Sequence, residues 1–308
     1  MPAAALTRRA TAALALLLVA ACTSSSAPPA AAPSPSATAS AQPSASPTAT
    51  PTPAPTPSGR PGPGRHDAVL REGDPRLPGH TVLHPAGDVP FLLPVVVWGN
   101  GGCRTTNEEY HVFLTGLASQ GFLVIANGAP DKPFFHGDTE KAVLRPHLLT
   151  EAIDWAVTEN SRAGSRFQGR IDTRRIAVMG QSCGAAEALT ASSDPRVRTT
   201  VAWNDGGSTT GLHAPVLFVS GGPGDETYDE TRQAYAQVKV PAVHADNPAV
   251  GHVGLWDDPA HRPAALRIAE RWLAFILYAD PHARAYFDGP RCGLCTAPGW
   301  TVQSRNGG

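Results

Sequence analysis

The sequence predicts an α/β fold, a mostly parallel sheet with helices on both faces. Three observations predict it: short uninterrupted apolar runs rich in β-branched residues, helix-spaced stretches between them, and tight Gly-rich loops where the runs end. A strand covered on both faces has no polar side, so it reads as a continuous apolar run rather than an alternation.

The elements follow in order. Pro94 to Trp98 (PVVVW) reads as a strand entering the tight loop Gly99, Asn100, Gly101, Gly102. Tyr110 to Ser119 has helical spacing, with Tyr110, Phe113, Leu114 and Leu117 on one side, and Phe122 to Ala126 (FLVIA) is a second buried strand. Leu148 to Val157 reads as a helix through Leu149, Ile153, Trp155 and Ala156. Arg175 to Met179 (RIAVM) is a strand ending at Gly180, and Ala185 to Ala191 opens a helix. Val197 to Trp203, Val216 to Ser220 and Val240 to His244 supply three more strands, and Ala264 to Tyr278 closes with a long helix through Leu266, Ile268, Trp272 and Ile276. In such a sheet, ligands gather at the carboxyl ends of the strands.

Most of residues 1 to 64 do not fit this pattern. Residues 1 to 21 carry Arg8 and Arg9 ahead of an apolar stretch from about Ala12 to Ala21, which is too short to span a bilayer and fits an export signal. Val19, Ala20, Ala21 and Cys22 then resemble the lipobox of bacterial lipoproteins, in which the Cys is diacylated; several acyl chains at one residue bind a membrane firmly. From Thr23 to Ser58 every residue except Gln42 is Ala, Pro, Ser or Thr. Such a segment has almost nothing to bury, so residues 22 to 64 are expected to be a disordered tether, extended by about 3 Å per residue where locally PPII-like. The expected folded domain is 65 to 308, exported and lipid-anchored to the outer face of the cell membrane, with its chemistry outside the cell.

The formal charge of −1 on 308 residues offers no field for holding a polyanion, so nucleic acid is not an expected partner. A monomer is expected. Of five cysteines, Cys22 is the lipid site and four remain: Cys103, Cys183, Cys292 and Cys295. An even set in an exported protein suggests two disulfides. Of the three pairings possible, Cys103 with Cys183 and Cys292 with Cys295 is preferred; no second CxxC or His pair accompanies Cys292 and Cys295 to favour zinc.

The chemistry centres on Gly180, Gln181, Ser182, Cys183, Gly184, a G-x-S-x-G directly after one strand and directly before a helix. The glycines permit the strained turn that pushes a Ser hydroxyl out at the sheet's carboxyl edge. That hydroxyl needs a His to remove its proton, and the His needs an acid to orient it, in the chain order Ser, acid, His. The loop Gly221, Gly222, Pro223, Gly224, Asp225 places Asp225 past a strand's carboxyl end, and His252 lies in the Gly-flanked loop after the next strand. Asp205 is the rival acid, and Asp225 could instead cap a helix beginning near Glu226. An oxyanion needs two backbone N–H donors. Cys183 is one; Asn100 is the first choice for the other, with Gly101 or Cys103 as alternatives. The Gly99 to Gly102 loop has no Lys followed by Ser or Thr and no GxGxxG, so it is not read as a phosphate cradle. Trp203 and Trp256 could wall an acyl pocket or belong to the core.

The stretch RIDTRRIAVMGQSCGA resembles the elbow region of bacterial cutinases and polyester hydrolases, and LASQGFLVIA resembles their helix and strand after the oxyanion loop. More distantly, the whole domain is similar to the dienelactone hydrolase group within the α/β-hydrolases, and the likeness covers approximately Thr81 to Tyr278. The resemblance implies an α/β-hydrolase fold, a Ser182, Asp225, His252 triad and ester substrates, small or polymeric, with no metal or organic cofactor. Gln181 and Cys183 stand where the polyester hydrolases usually have an aromatic or His and then a Met, and Trp98 stands where many hydrolases have the His of an HG loop, so polyester specificity is not carried over. The expected activity is a serine esterase; the alternatives are an acyltransferase or peptidase on the same fold, or a surface lipoprotein that binds a ligand without turnover. The two candidate oxyanion donors being flanked by Cys103 and Cys183 suggests a disulfide that clamps the loop onto the elbow.

Overall fold

The computed structural model describes residues 66–133 and 143–307. The expected export signal, Cys22 and the expected tether fall outside the described residues. The strands are β1 (Val69–Asp74), β2 (Leu77–Pro85), β3 (Leu93–Gly99), β4 (Leu123–Asn127), β5 (Ile171–Gln181), β6 (Val197–Trp203), β7 (Val216–Ser220), β8 (Ala242–Asp246) and β9 (Thr301–Arg305). The helices are α1 (His111–Ser119), α2 (Pro146–Ser161), α3 (Cys183–Ala191), α4 (Tyr228–Gln237), α5 (Gly254–Asp257), α6 (Arg262–Tyr278) and α7 (Pro281–Arg284).

The strands form one sheet in the order β1-β2-β4-β3-β5-β6-β7-β8-β9. The interior pairs from β4 to β8 are parallel; β1 with β2, β2 with β4, and β8 with β9 are antiparallel. Both faces of the parallel strands are covered, as their unbroken apolar runs require. Val96 joins a core with Leu114 and Leu117 of α1 and Trp272 of α6, while its neighbours Val95 and Val97 join a second core with Leu149 and Ile153 of α2. On that second face, α3 and α4 pack over β6 and β7 through Leu189, Ala234 and Phe218.

The antiparallel edges were not read from the sequence. β1 (VLREGD) and β9 (TVQSR) are polar and at least partly exposed, as edge strands tend to be. β2 hides His80, Thr81 and His84 by giving each a hydrogen-bond partner, so its polar letters mask a buried strand. Both expected disulfides are present: Cys103 to Cys183 with Cα atoms 5.2 Å apart, and Cys292 to Cys295 with Cα atoms 5.0 Å apart. Among the described residues no helix is long and apolar enough to cross a membrane.

Candidate active site

Ser182 sits between β5 and α3 at φ 52°, ψ −124°, a left-handed conformation that is costly for a residue with a Cβ. The turn is held on both sides. Ser182 N donates to the Trp203 carbonyl at 2.8 Å on β6, and Ala185 N donates to the Ser182 carbonyl at 2.8 Å. The two motif glycines are required by close approach: a Cβ on Gly180 would lie 2.1 Å from the Gly184 carbonyl oxygen, and one on Gly184 would lie 2.1 Å from that of Gly99. Thus β3, β5 and α3 meet backbone to backbone beneath the serine.

The candidate acid and base come from the loops after β7 and β8, beyond the loop after β6. Asp225 follows β7 and a short turn, and its Oδ1 accepts from His252 Nδ1 at 2.7 Å; the carboxylate is fully buried and the imidazole 17% exposed. Because a carboxylate only accepts, Nδ1 carries the proton, and in the neutral ring Nε2 presents its lone pair. The loops touch directly, since a Cβ on Gly221 would lie 2.0 Å from the Gly251 carbonyl oxygen. No hydrogen bond joins Ser182 to His252 among the described residues; Nε2 lies 3.5 Å from Glu226 Oε1. Catalytic hydrogen bonds are often long in an empty site and tighten when substrate arrives.

A family model described as "PETase: PET hydrolase-like" matches residues 102–235. Among curated relatives, "Hydrolase phmG" of Phaeosphaeria nodorum is 32% identical over 137 residues, covering 41% of this chain and 28% of its own. "Hydrolase LUC6" of a Fusarium species is 29% identical, covering 49% of this chain and 36% of its own, and "Alpha/beta hydrolase psoB" of Aspergillus fumigatus is 29% identical, covering 49% and 33%. The chain therefore spans about a third of the length of these relatives. Together with the topology, the similarity decides the fold.

The chain has the α/β-hydrolase fold.

Within that fold, the electrostatics of the pair follow from its surroundings. Burial would raise the Asp225 carboxyl, but donors from His252, Asn204, Thr227 and Gly221 hold it well below the usual carboxylate range. Burial would lower the His252 imidazole, yet the hydrogen bond and charge of Asp225, with Glu226 and Asp205 nearby, raise it above its ordinary value. The rival acid has a different character. Burial, reinforced by Glu230 and Asp225, pushes Asp205 up to about 7. Asp225 does not cap a helix: α4 begins at Tyr228 with Thr227 at its cap position, and the Asp225 Oδ1 bond from Thr227 N at 3.1 Å is a turn ahead of it.

Cys183 is the first residue of α3, where an N–H has no acceptor within the helix. Gly101 leaves the set of candidate oxyanion donors, since its N–H donates to the Tyr110 hydroxyl at 3.0 Å. Asn100 is buried, its side chain donates to the Arg104 and Asn127 carbonyls, and its backbone N faces Gly184 under the elbow. Cys103, at φ 53°, is bonded to Cys183 itself.

Trp203 and Trp256 do not wall a pocket. They are 0% and 2% exposed and pack edge to face, ring centroids 5.4 Å apart, in a cluster with Trp98, Tyr110 and Phe113. Sequence reasoning also missed Asn204. At φ 50° it turns the chain after β6, and its Nδ2 donates to Asp225 Oδ2 at 2.8 Å and to the Gly251 carbonyl at 3.1 Å, tying acid loop to base loop. An Asn directly after a strand, able to adopt the left-handed region, was the available signal. A cavity of about 660 Å³ lies elsewhere, at the amino ends of β7 and β8 between Trp272, Phe275 and Phe287, and includes none of Ser182, Asp225 and His252.

Proposed function

We propose that the protein is a serine carboxylic ester hydrolase that works through an acyl-enzyme. The observation that carries this reading is the strained Ser182 at a helix N-terminus, served from the neighbouring loops by a His252 whose Nδ1 is held by a buried carboxylate. Ser182 Oγ attacks the ester carbonyl carbon while its proton passes to His252 Nε2. Asp225 holds the ring and stabilises the imidazolium. The oxyanion is met by the Cys183 N–H and by a second donor from the 100–103 loop, Asn100 or Cys103. His252 returns the proton to the leaving alcohol; a water then gives its proton to His252 and attacks the acyl-enzyme, and His252 passes that proton to Ser182 Oγ as the bond to the acyl carbon breaks and the acid leaves.

Similarity to PET hydrolase-like proteins brings polyesters into the range of candidate substrates. The buried Trp203 and Trp256 offer no ring face to an aromatic polymer, which favours small esters. Turnover of p-nitrophenyl esters of graded acyl length, beside a polyester film, tests both parts. The reading predicts activity abolished by Ser182→Ala; equal ester cleavage by that variant would refute Ser182 as the nucleophile, and a wild type without turnover would leave a ligand-binding lipoprotein. Amide cleavage or acyl transfer exceeding ester hydrolysis would move the assignment to a peptidase or acyltransferase.

From residues 1 to 64 we propose export and acylation at Cys22, with the tether holding the domain off the membrane. Cys22→Ala in a bacterial host is expected to move the protein from the membrane fraction to the medium, and an unchanged distribution contradicts the anchor.

A further inference from the structure

Gln181, the residue before the nucleophile, is only 2% exposed and lies in a hydrogen-bond chain that crosses the site. Gly101 N–H donates to the Tyr110 hydroxyl at 3.0 Å, that hydroxyl donates to Gln181 Oε1 at 2.8 Å, and Gln181 Nε2 donates to the backbone carbonyl of His252 at 3.1 Å. The direction of every bond is forced. A backbone N–H can only donate, so the phenol proton goes to the amide oxygen; a carbonyl can only accept, so the amide NH₂ faces His252. The phenol is fixed in turn by its ring, which packs 4.9 Å from Trp98 and 5.3 Å from Trp256, centroid to centroid. The amide fills the space over Gly101, where a Cβ would lie 2.1 Å from Gln181 Oε1.

We infer that Gln181 and Tyr110 are positioning residues for catalysis, one chain that ties the oxyanion loop, through the elbow, to the loop carrying His252. The inference rests on the ester-hydrolase reading. Three things must hold a fixed relation when the substrate arrives: the oxyanion donors, the serine and the imidazole. The disulfide joins the first two, and this chain adds the third. An amide suits the place because it accepts on one side and donates on the other; an apolar side chain of equal size offers neither, and would leave the phenol proton and the His252 carbonyl without these partners in a buried site.

Wild-type protein is first tested for p-nitrophenyl acetate turnover and fluorophosphonate labelling of Ser182. A silent wild type overturns the ester-hydrolase reading and this role with it, and is distinct from a loss confined to variants. In an active enzyme, Tyr110→Phe and Gln181→Met are each expected to lower kcat roughly 10- to 100-fold, with KM within about threefold, because misplacement of reacting groups falls on the chemical step. Labelling should slow in proportion while thermal unfolding shows a folded protein. The double variant should lose no more than the worse single one, because either cut breaks the same chain. Gln181→Glu keeps an acceptor for Tyr110 but sets a carboxylate near His252, and should raise the pKa of the acidic limb of kcat/KM, a shift that a mere space-filler would not produce. A Tyr110→Phe enzyme within about twofold of wild type, losses that multiply in the double variant, or an unmoved acidic limb in Gln181→Glu would each overturn the inference. Tyr110→Phe removes a single oxygen from a well-packed ring, so it decides the matter if a Gln181 variant does not fold.

Discussion

Replacing Asp225 by Asn is the most informative single change, because every group around that carboxylate is a donor. Oδ1 accepts from His252 Nδ1 at 2.7 Å, Thr227 N at 3.1 Å and Thr227 Oγ1 at 3.0 Å; Oδ2 accepts from Asn204 Nδ2 at 2.8 Å and Gly221 N at 3.1 Å. An amide has one acceptor oxygen and one NH₂, so neither orientation fits. With its NH₂ toward Asn204 and Gly221, two buried donors lose their acceptor, at about 1–3 kcal/mol each, or roughly 2–4 kcal/mol after relaxation. For a domain of this size that corresponds to a fall in Tm of roughly 5–12 °C. With its NH₂ toward His252, the imidazole must present a lone pair at Nδ1 and carry its proton on Nε2, where the base is needed; the expected loss in kcat is on the order of 10³ to 10⁴. Thermal unfolding and p-nitrophenyl acetate kinetics read the two effects separately. A variant that keeps its Tm within about 2 °C and its kcat within about tenfold would show that Asp225 is not the orienting acid, as would a larger kcat loss in Asp205→Asn.

Three further outcomes follow from the charges and cross-links. With His252 raised above its ordinary value, the neutral base is populated only above that raised pKa, so kcat/KM should climb with pH through a midpoint above 6.5, and a midpoint below it contradicts the Asp225 pairing. Burial, with Glu230 and Asp225 nearby, raises Asp205 to about 7, so the ionised carboxylate favours the unfolded chain at every pH above its unfolded value of about 4; Asp205→Asn should leave stability little changed at pH 3, increase it progressively between pH 4 and 7 and most at pH 8, and lower the kcat/KM midpoint, checked by denaturant melts and a pH–rate profile. The Cys103–Cys183 bond closes a separation of 80 residues, worth about 4 kcal/mol by loop entropy, against under about 2 kcal/mol for the separation of 3 between Cys292 and Cys295. Removing the first pair should therefore depress both Tm and kcat, and removing the second should leave kcat unchanged.

The centre of the fold and the triad candidates were legible because parallel strands buried on both faces announce themselves as apolar runs, and because the loops after them carry the chemistry. RIAVM before Gly180 and VLFVS before Gly221 are of this kind. The edges were not legible: β2 satisfies its polar residues through partners distant in sequence, and β9 is a polar edge strand held by β8. Helix α4 (YDETRQAYAQ) buries only Thr231 and Ala234, so it lacks a periodic apolar stripe and showed only as a helix start near Glu226. The roles of Gln181, Tyr110 and Asn204 rest on bonds spanning 71, 9, 21 and 47 residues, which no local pattern carries. For Trp203 and Trp256, proximity in sequence to the site does not separate a pocket wall from the core, and it is packing with Trp98 and Phe113 that places their rings inside.

The central claim is that Ser182 is a nucleophile made reactive by His252 and Asp225. Its most direct test is fluorophosphonate labelling of the full-length protein with the adduct mapped by mass spectrometry. A single covalent adduct on Ser182 is expected, abolished by Ser182→Ala and slowed by roughly 10³-fold or more in His252→Ala. An unlabelled protein, or labelling that persists unchanged in His252→Ala, would contradict it.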